Sequence, residues 1–290
     1  MDILNLDANF KPFSDLDLLV GFVLEHKTFN FLGGEPHIQI LSDRISSELV
    51  ITQRFNNIAD LFNIVLANDA AKRKGYETIH LYLPYFPAAR QDRVCNPGEP
   101  LTVKVFTDII NSCGFKSVKI FRPHSEVVVA LLDRVIVVDL EKYHVQKIVQ
   151  QNSDGRYFNI VCPDAGAGKS TEKIVRFLIE QDKHRTYNLI RCEKIRDVTD
   201  GKLLGFTVHE TDDLRGYPTL IVDDICAMGG TFIGLAKKLR TINCGKLMLY
   251  TSHADCMAGL NNVASVFDKV YITNSKQDWP SDSVINVINL

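Results

Sequence analysis

The feature that most constrains this chain is the alternation of short apolar runs with amphipathic stretches from end to end. "TIHLYLPYF", "SVKIFRP", "FNIVCPD", "TYNLIRC", "TLIVDDI", "KLMLYTSH" and "KVYITNS" have the length and continuous apolarity of strands buried on both faces. Between them lie helical patterns. "IADLFNIVLANDAAKRKG" closes on Gly75 with basic residues in its last turn, and "LTVKVFTDIINSCG" and "TFIGLAKKLRTINCG" close on Gly114 and Gly245. Strand–helix–strand alternation predicts an α/β protein with mostly parallel sheets, whose sites lie at the carboxyl ends of the strands.

A chain of 290 residues is long for one core and comfortable for two domains. A boundary is expected where "DLEKYHVQKIVQQNSDGR" turns polar, which divides the chain into 1–140 and 141–290. The formal net charge of −2 supplies no bulk field for nucleic acid or an anionic membrane. No apolar run approaches a membrane span, and "MDILNLDANF" has neither a basic nor an apolar leader region. Seven scattered cysteines without a C-x-x-C pair favour reduced thiols and a cytoplasmic setting, host cytoplasm for a viral chain.

"VCPDAGAGKST", residues 161–171, invites comparison with a phosphate-binding loop of the form G-x-x-x-x-G-K-[ST]. The position that should hold the first glycine is Pro163. Proline has no N–H to offer a phosphate and a fixed φ. The stretch is therefore read as a strand-to-helix turn, with Gly166 and Gly168 leading into "STEKIVRFLIEQ" and Asp164 as its chemically interesting residue.

The strongest motif is "TLIVDDICAMGGTF", residues 219–232. An apolar strand runs into Asp223 and Asp224, and after a short loop Gly229, Gly230 and Thr231 open a helix. A helix N-terminus with close-approaching glycines suits a phosphate, and two carboxylates suit the vicinal hydroxyls of a ribose. The pattern resembles the phosphoribosyl-pyrophosphate loop shared by type I phosphoribosyltransferases and phosphoribosyl-pyrophosphate synthetases.

Further segments resemble the synthetase (ribose-phosphate pyrophosphokinase) family, in order and over nearly the whole chain. "LPYFPAARQDRVCNPGEPLTVKVF" carries Arg90, Gln91, Asp92 and Arg93, then Glu99 and Pro100. "FLGGEPHIQI" resembles the family's F-x-D-G-E segment, with Phe31 and Glu35 retained. "RPHSEV" and "CPDAG" match the segments of the metal-binding histidine and aspartate, here His124 and Asp164. "RCEKIRD" matches a catalytic-loop K-x-R, here Lys194 and Arg196.

The resemblance implies two similar phosphoribosyltransferase-type (type I) α/β domains with the site in the cleft between them. It implies a pyrophosphokinase that moves the β,γ-diphosphate of MgATP to the 1-hydroxyl of a 5-phosphorylated ribose and releases AMP. Phe31, Glu35, Arg90, Gln91 and Asp92 would bind ATP. His124 and Asp164 would hold Mg²⁺, and Lys194 and Arg196 would be catalytic. Asp223, Asp224, Ala227, Met228, Gly229, Gly230 and Thr231 would bind the ribose phosphate. A homo-oligomer built from dimers, up to a hexamer, is implied, because the family's adenine site is shared between subunits.

Two departures bear on the acceptor. The family's loop reads D-D-x-x-D-T-G-G-T, and here Ala227 and Met228 replace the aspartate and threonine. Gly33 stands where F-x-D-G-E has its aspartate. A terminal phosphate dianion calls for more donors, whereas methionine adapts to bulky partners. The expected acceptor is thus a ribose with a substituted 5-phosphate. ADP-ribose is the candidate, as in the family branch associated with phage-type NAD⁺ rebuilding. Ribose 5-phosphate is the alternative acceptor, and a non-catalytic regulatory homologue is the alternative of another class.

Overall fold

The computed structural model describes residues 1–11, 21–152, 155–196 and 203–290, with the side chains of Arg196 and Leu203 outside the description. The chain divides into two compact units. The first takes residues 1–139 together with 274–278 and 289–290, and the second takes 140–273 and 279–288. The single cut drawn from the sequence thus misses two short C-terminal pieces that pack with the first unit.

In the first unit a six-stranded sheet runs in the order β2-β1-β5-β6-β7-β8. The strands are β1 (Asp2–Asn5), β2 (Phe22–Val23), β5 (Glu48–Thr52), β6 (Thr78–Leu83), β7 (Ser117–Phe121) and β8 (Val135–Val138). All its pairings are parallel, as the continuous apolar runs require. A separate antiparallel hairpin pairs β3 (His26–Asn30) with β4 (Pro36–Ile40).

Helices α1 (Ile58–Arg73), α2 (Thr102–Ser112) and α3 (Glu126–Leu131) connect the strands. Asn57 and Asp60 form a reciprocal capping box at the start of α1. Lys72 and Arg73 close its last turn, and Gly75 follows in the left-handed region at φ 90°. Leu4, Leu49, Ile51, Leu81 and Ile120 are fully buried in one core.

The C-terminal return is held by Arg54, which is 2% exposed. Its Nε donates to Asp7 at 2.6 Å and its Nη1 to Asp278 at 2.7 Å, and the guanidinium lies 5.1 Å from the Phe10 ring centre. Burial alone would discourage this charge, but the two carboxylates hold its pKa above the ordinary arginine value.

The second unit has a seven-stranded sheet in the order β11-β10-β9-β12-β13-β14-β15. Its strands are β9 (Tyr157–Cys162), β10 (Thr186–Arg196), β11 (Leu203–Val208), β12 (Thr219–Cys226), β13 (Leu247–Ala254), β14 (Lys269–Thr273) and β15 (Ile285–Ile288). Every pairing is parallel except the β10–β11 ribbon at one edge.

The helices here are α4 (Glu141–Asn152), α5 (Gly168–Gln181), α6 (Gly230–Thr241) and α7 (Met257–Ala264). Residues 141–152, polar in sequence, are regular structure. They form α4, which buries Val145, Ile148 and Val149 on one face. The expected closure of α6 on Gly245 is also corrected. The helix ends at Thr241 and Asn243 takes the left-handed conformation at φ 58°. Gly245 serves another need, since a Cβ there would lie 2.2 Å from the Gly216 carbonyl oxygen.

Candidate active site

In the second unit the polar residues singled out from the sequence gather at the carboxyl ends of neighbouring strands. β9 lies between β10 and β12 in the sheet, so the segments that follow these strands emerge side by side.

Asp164 follows β9 with an extended backbone and caps the short turn 165–167, accepting the Ala167 N–H at 3.2 Å. Neither Gly166 nor Gly168 has a positive φ, and Gly168 is already helical at φ −55°. The Ser170 and Thr171 hydroxyls both donate to the Ala167 carbonyl. "DAGAGKST" is therefore a capped helix start, as the proline argument requires. Asp164 opens on a cavity of about 370 Å³ whose wall includes Lys169, Arg191 and His209.

Lys194 sits near the end of β10, paired with Phe206 across the β10–β11 ribbon. Its Nζ reaches the Asp164 carboxylate at 2.5 Å, with side chains 20% and 28% exposed. Two residues singled out from segments thirty positions apart thus form one ion pair. Arg196 is the last residue of β10, at a local irregularity of the ribbon.

Asp223 and Asp224 end the apolar part of β12. The Asp223 carboxylate accepts the backbone N–H of Asp224 at 2.9 Å. Burial raises the Asp223 pKa well above the ordinary carboxylate value, and the charges of Asp224 and Asp164 raise it further. Asp164 and Asp223 therefore sense each other, and Asp164 is paired with Lys194.

Beyond them Gly229 adopts φ 80°, and α6 begins at Gly230 with no side-chain cap. Its first-turn N–H groups, including that of Thr231, are thus left for an anion. Gly229 is doubly required, because a Cβ would lie 2.6 Å from Val263 Cγ1 as well as strain the backbone.

The loop between β12 and α6 is braced by residues that sequence reasoning missed. Asn262 Nδ2 donates to the Met228 carbonyl at 3.1 Å, and Cys256 Sγ lies 3.7 Å from Met228 Sδ. Gly259 packs so closely that a Cβ would meet the Ala227 carbonyl. All three belong to α7 or its cap, some thirty residues downstream, and no local motif announces them. With its carbonyls turned to α7, the loop leaves Met228 58% exposed.

In the first unit, Phe31 and Glu35 lie at the tip of the β3–β4 hairpin. The Phe31 N–H donates to the Glu35 carbonyl at 2.9 Å, and Gly34 turns at φ 90°. Phe29, Phe31 and His37 cluster edge-on, with ring centres 5.2 to 5.5 Å apart. A Cβ at Gly33 would lie 2.5 Å from Glu35 Oε2, so the glycine leaves room for that carboxylate to fold back.

Arg90 and Gln91 are exposed after a left-handed turn at Ala88, φ 57°. Asp92 is fixed between Arg93 at 2.9 Å and the Ser125 hydroxyl at 2.7 Å. These partners hold its pKa below the ordinary carboxylate value, and His124 adds a favourable charge contribution. The structure thus brings Asp92 and the exposed His124 together, a pairing the sequence did not announce. Glu99 closes the following loop by accepting the N–H groups of Cys95 and Asn96.

Among the described residues no group of three or more His, Cys, Asp and Glu side chains is gathered as a metal cluster. Asp164 nevertheless fits a magnesium ion that keeps water and phosphate oxygens as its other ligands, since its carboxylate already holds a cation. All seven cysteines are free, and burial pushes Cys192 and Cys226 up to about 12. No helix among the described residues is long and apolar enough to cross a membrane.

Comparison with known proteins agrees with this layout. Residues 18–114 match the N-terminal domain of ribose phosphate pyrophosphokinase. A ribose-phosphate pyrophosphokinase of Thermococcus kodakarensis is 24% identical over 258 residues, covering 87% of this chain and 86% of that protein. One from Pasteurella multocida is 26% identical over 274 residues, covering 90% and 81%. In fold, the chain is similar to a phosphoribosylpyrophosphate synthetase from Mycobacterium smegmatis, with a TM-score of 0.76 at 19% identity, covering 99% of this chain and 94% of that one.

Fold and site define a protein of two type I phosphoribosyltransferase-type domains with mostly parallel sheets. In sequence the chain is similar to ribose-phosphate pyrophosphokinases over most of its length, as a divergent relative of them.

Proposed function

We propose that this protein is a diphosphotransferase that moves the β,γ-diphosphate of ATP to the 1-hydroxyl of a ribose carrying a 5-phosphate, with release of AMP. The supporting observation is the arrangement at the end of the second sheet, where Asp164, Lys194 and Asp223 come from the neighbouring strands β9, β10 and β12, and β12 leads into the uncapped N-terminus of α6. Such transfers need positioning and neutralisation of charge more than covalent help.

The α6 N-terminus, opened by Gly229 and Gly230, would receive the acceptor's phosphate. Asp223 and Asp224 would take the ribose hydroxyls, Asp223 being able to donate as well as accept while protonated. Lys194 and Arg196 would neutralise charge on the transferred group and the leaving AMP. Phe31, Glu35, Arg90, Gln91 and Asp92 would bind the nucleotide. Asp164 and His124 would hold Mg²⁺, which supplies charge neutralisation on the phosphates.

For the acceptor we propose a ribose whose 5-phosphate is itself substituted, with ADP-ribose as the concrete case. The exposed Met228 supports this, because it presents an apolar adaptable surface where a terminal phosphate would want donors. The names of the relatives favour ribose 5-phosphate as the second reading. Purified protein with MgATP and either acceptor, assayed for AMP, tests both. Turnover of ribose 5-phosphate with none of ADP-ribose removes the first acceptor. Absence of AMP with every ribose phosphate removes the activity and leaves a regulatory homologue. A homo-oligomer is part of the proposal, and light scattering of the purified protein checks it.

A further inference from the structure

The ion pair between Lys194 and Asp164 joins two groups that the proposed chemistry would need apart. A lysine that neutralises a transferred phosphate must face that phosphate, and a carboxylate that holds a metal ion must be open to it. In the structure each satisfies the other. Asp164 Oδ1 accepts the Ala167 N–H and Oδ2 takes the Lys194 ammonium, so both oxygens are engaged.

The geometry permits an exchange without moving the fold. Lys194 is anchored by its backbone in the β10–β11 ribbon, and its four-carbon stem can redirect the ammonium by rotamer changes alone. Asp164 is anchored by its turn and would keep its cap while changing cations. The pair is partly exposed, at 20% and 28%, so a hydrated ion can reach it.

We propose that Asp164 and Lys194 form a cation-exchange latch. In the free protein the Lys194 ammonium is the counter-ion of Asp164. A divalent cation taken up by this carboxylate releases the lysine toward incoming phosphate oxygens. The lysine is thereby kept in store until the metal arrives, and Asp164 is never without a counter-ion. This inference rests on the reading of Asp164 as a metal ligand and Lys194 as a phosphate-neutralising group.

The test uses the full chain without nucleotide, so that it is separate from turnover. Free Mn²⁺ is followed by electron paramagnetic resonance. Lys194→Met keeps the stem and removes the competitor, and should tighten Mn²⁺ by about fivefold, the upper range for a partly exposed pair. Lys194→Arg keeps a cation and should stay near wild type. Asp164→Asn, which still caps the turn, should lose the site.

In parallel, amine acylation with mass-spectrometric readout should show Lys194 becoming more reactive as Mn²⁺ is added to wild type. In Asp164→Asn it should be reactive from the start. Equal or weaker Mn²⁺ binding by Lys194→Met, or Lys194 reactivity unmoved by the metal, overturns the latch. AMP release is measured separately. A chain that passes both tests and releases no AMP keeps the latch and loses the proposed activity.

Discussion

Two corners of one sheet end face the same chemistry with opposite electrostatics. At the β9–β10 corner the Asp164 carboxylate is matched by the Lys194 ammonium at 2.5 Å. At the β12–α6 corner the half-buried Asp223 lies against Asp224, and its pKa rises. The first corner is arranged to exchange cations. The second makes one acid harder to ionise beside an uncapped helix N-terminus, whose dipole is positive. Neighbouring strand ends in one sheet thus acquire different roles from their partners, although the residues involved are all aspartates.

The comparison can be broken or sharpened by mutation, and the largest effect is expected at the first corner. Lys194→Ala should lower AMP release from MgATP and a ribose acceptor by about 10²- to 10³-fold, the scale for removing one group that stabilises developing charge. A loss below tenfold would take Lys194 out of the chemistry. At the second corner, Gly229→Ala should destabilise the protein by roughly 1–3 kcal/mol, since it adds left-handed strain to a collision with Val263. Urea unfolding measures this, and an unchanged midpoint would contradict the close approach.

Asp223→Asn separates the corners by pH. A folded-state pKa above the unfolded value means that the native state holds the extra proton. Stability from Asp223 is therefore intact below about pH 4 and declines as pH rises toward the folded pKa. Asn, which never ionises, should raise stability at pH 7 and change it little at pH 4. Equal effects at both pH values would show that Asp223 ionises freely. The smallest change is one of preference. Ala227→Asp with Met228→Thr should shift the ratio of turnover toward ribose 5-phosphate over ADP-ribose by about tenfold, through added polar contacts to a terminal phosphate. Competition between the two acceptors in one assay reads that ratio directly.

Much of the fold was legible because parallel strands buried on both faces write themselves as apolar runs. β6, β7, β9, β10, β12, β13 and β14 all fall on the stretches picked out. Of the elements that were missed, β1 and β5 are buried parallel strands, and others lack that signature. β8 is an edge strand with Ile136 and Val137 exposed, and the β3–β4 hairpin is mostly solvated. α4 looked polar because only one stripe of it is buried.

The site was legible where a motif is contiguous, as at Asp223–Thr231. The Lys194–Asp164 contact could not be read, because it depends on β10 lying next to β9. The bracing of Met228 by Asn262 and Cys256 was equally hidden, since α7 contributes it from a different strand–helix unit.

The Arg54 clamp has a consequence for how the protein comes into being. Asp278 and the Asn274 carbonyl, two of its partners, belong to a stretch made more than two hundred residues after Arg54 itself. The first unit therefore stays incomplete until the C-terminal stretch has been made. Until the late segment arrives, a buried guanidinium waits with Asp7 as its carboxylate partner. A nascent or truncated chain ending before residue 274 would carry a finished-looking first sheet whose charge at Arg54 is only half compensated. Quality control would meet that defect in the half of the molecule that was synthesised first.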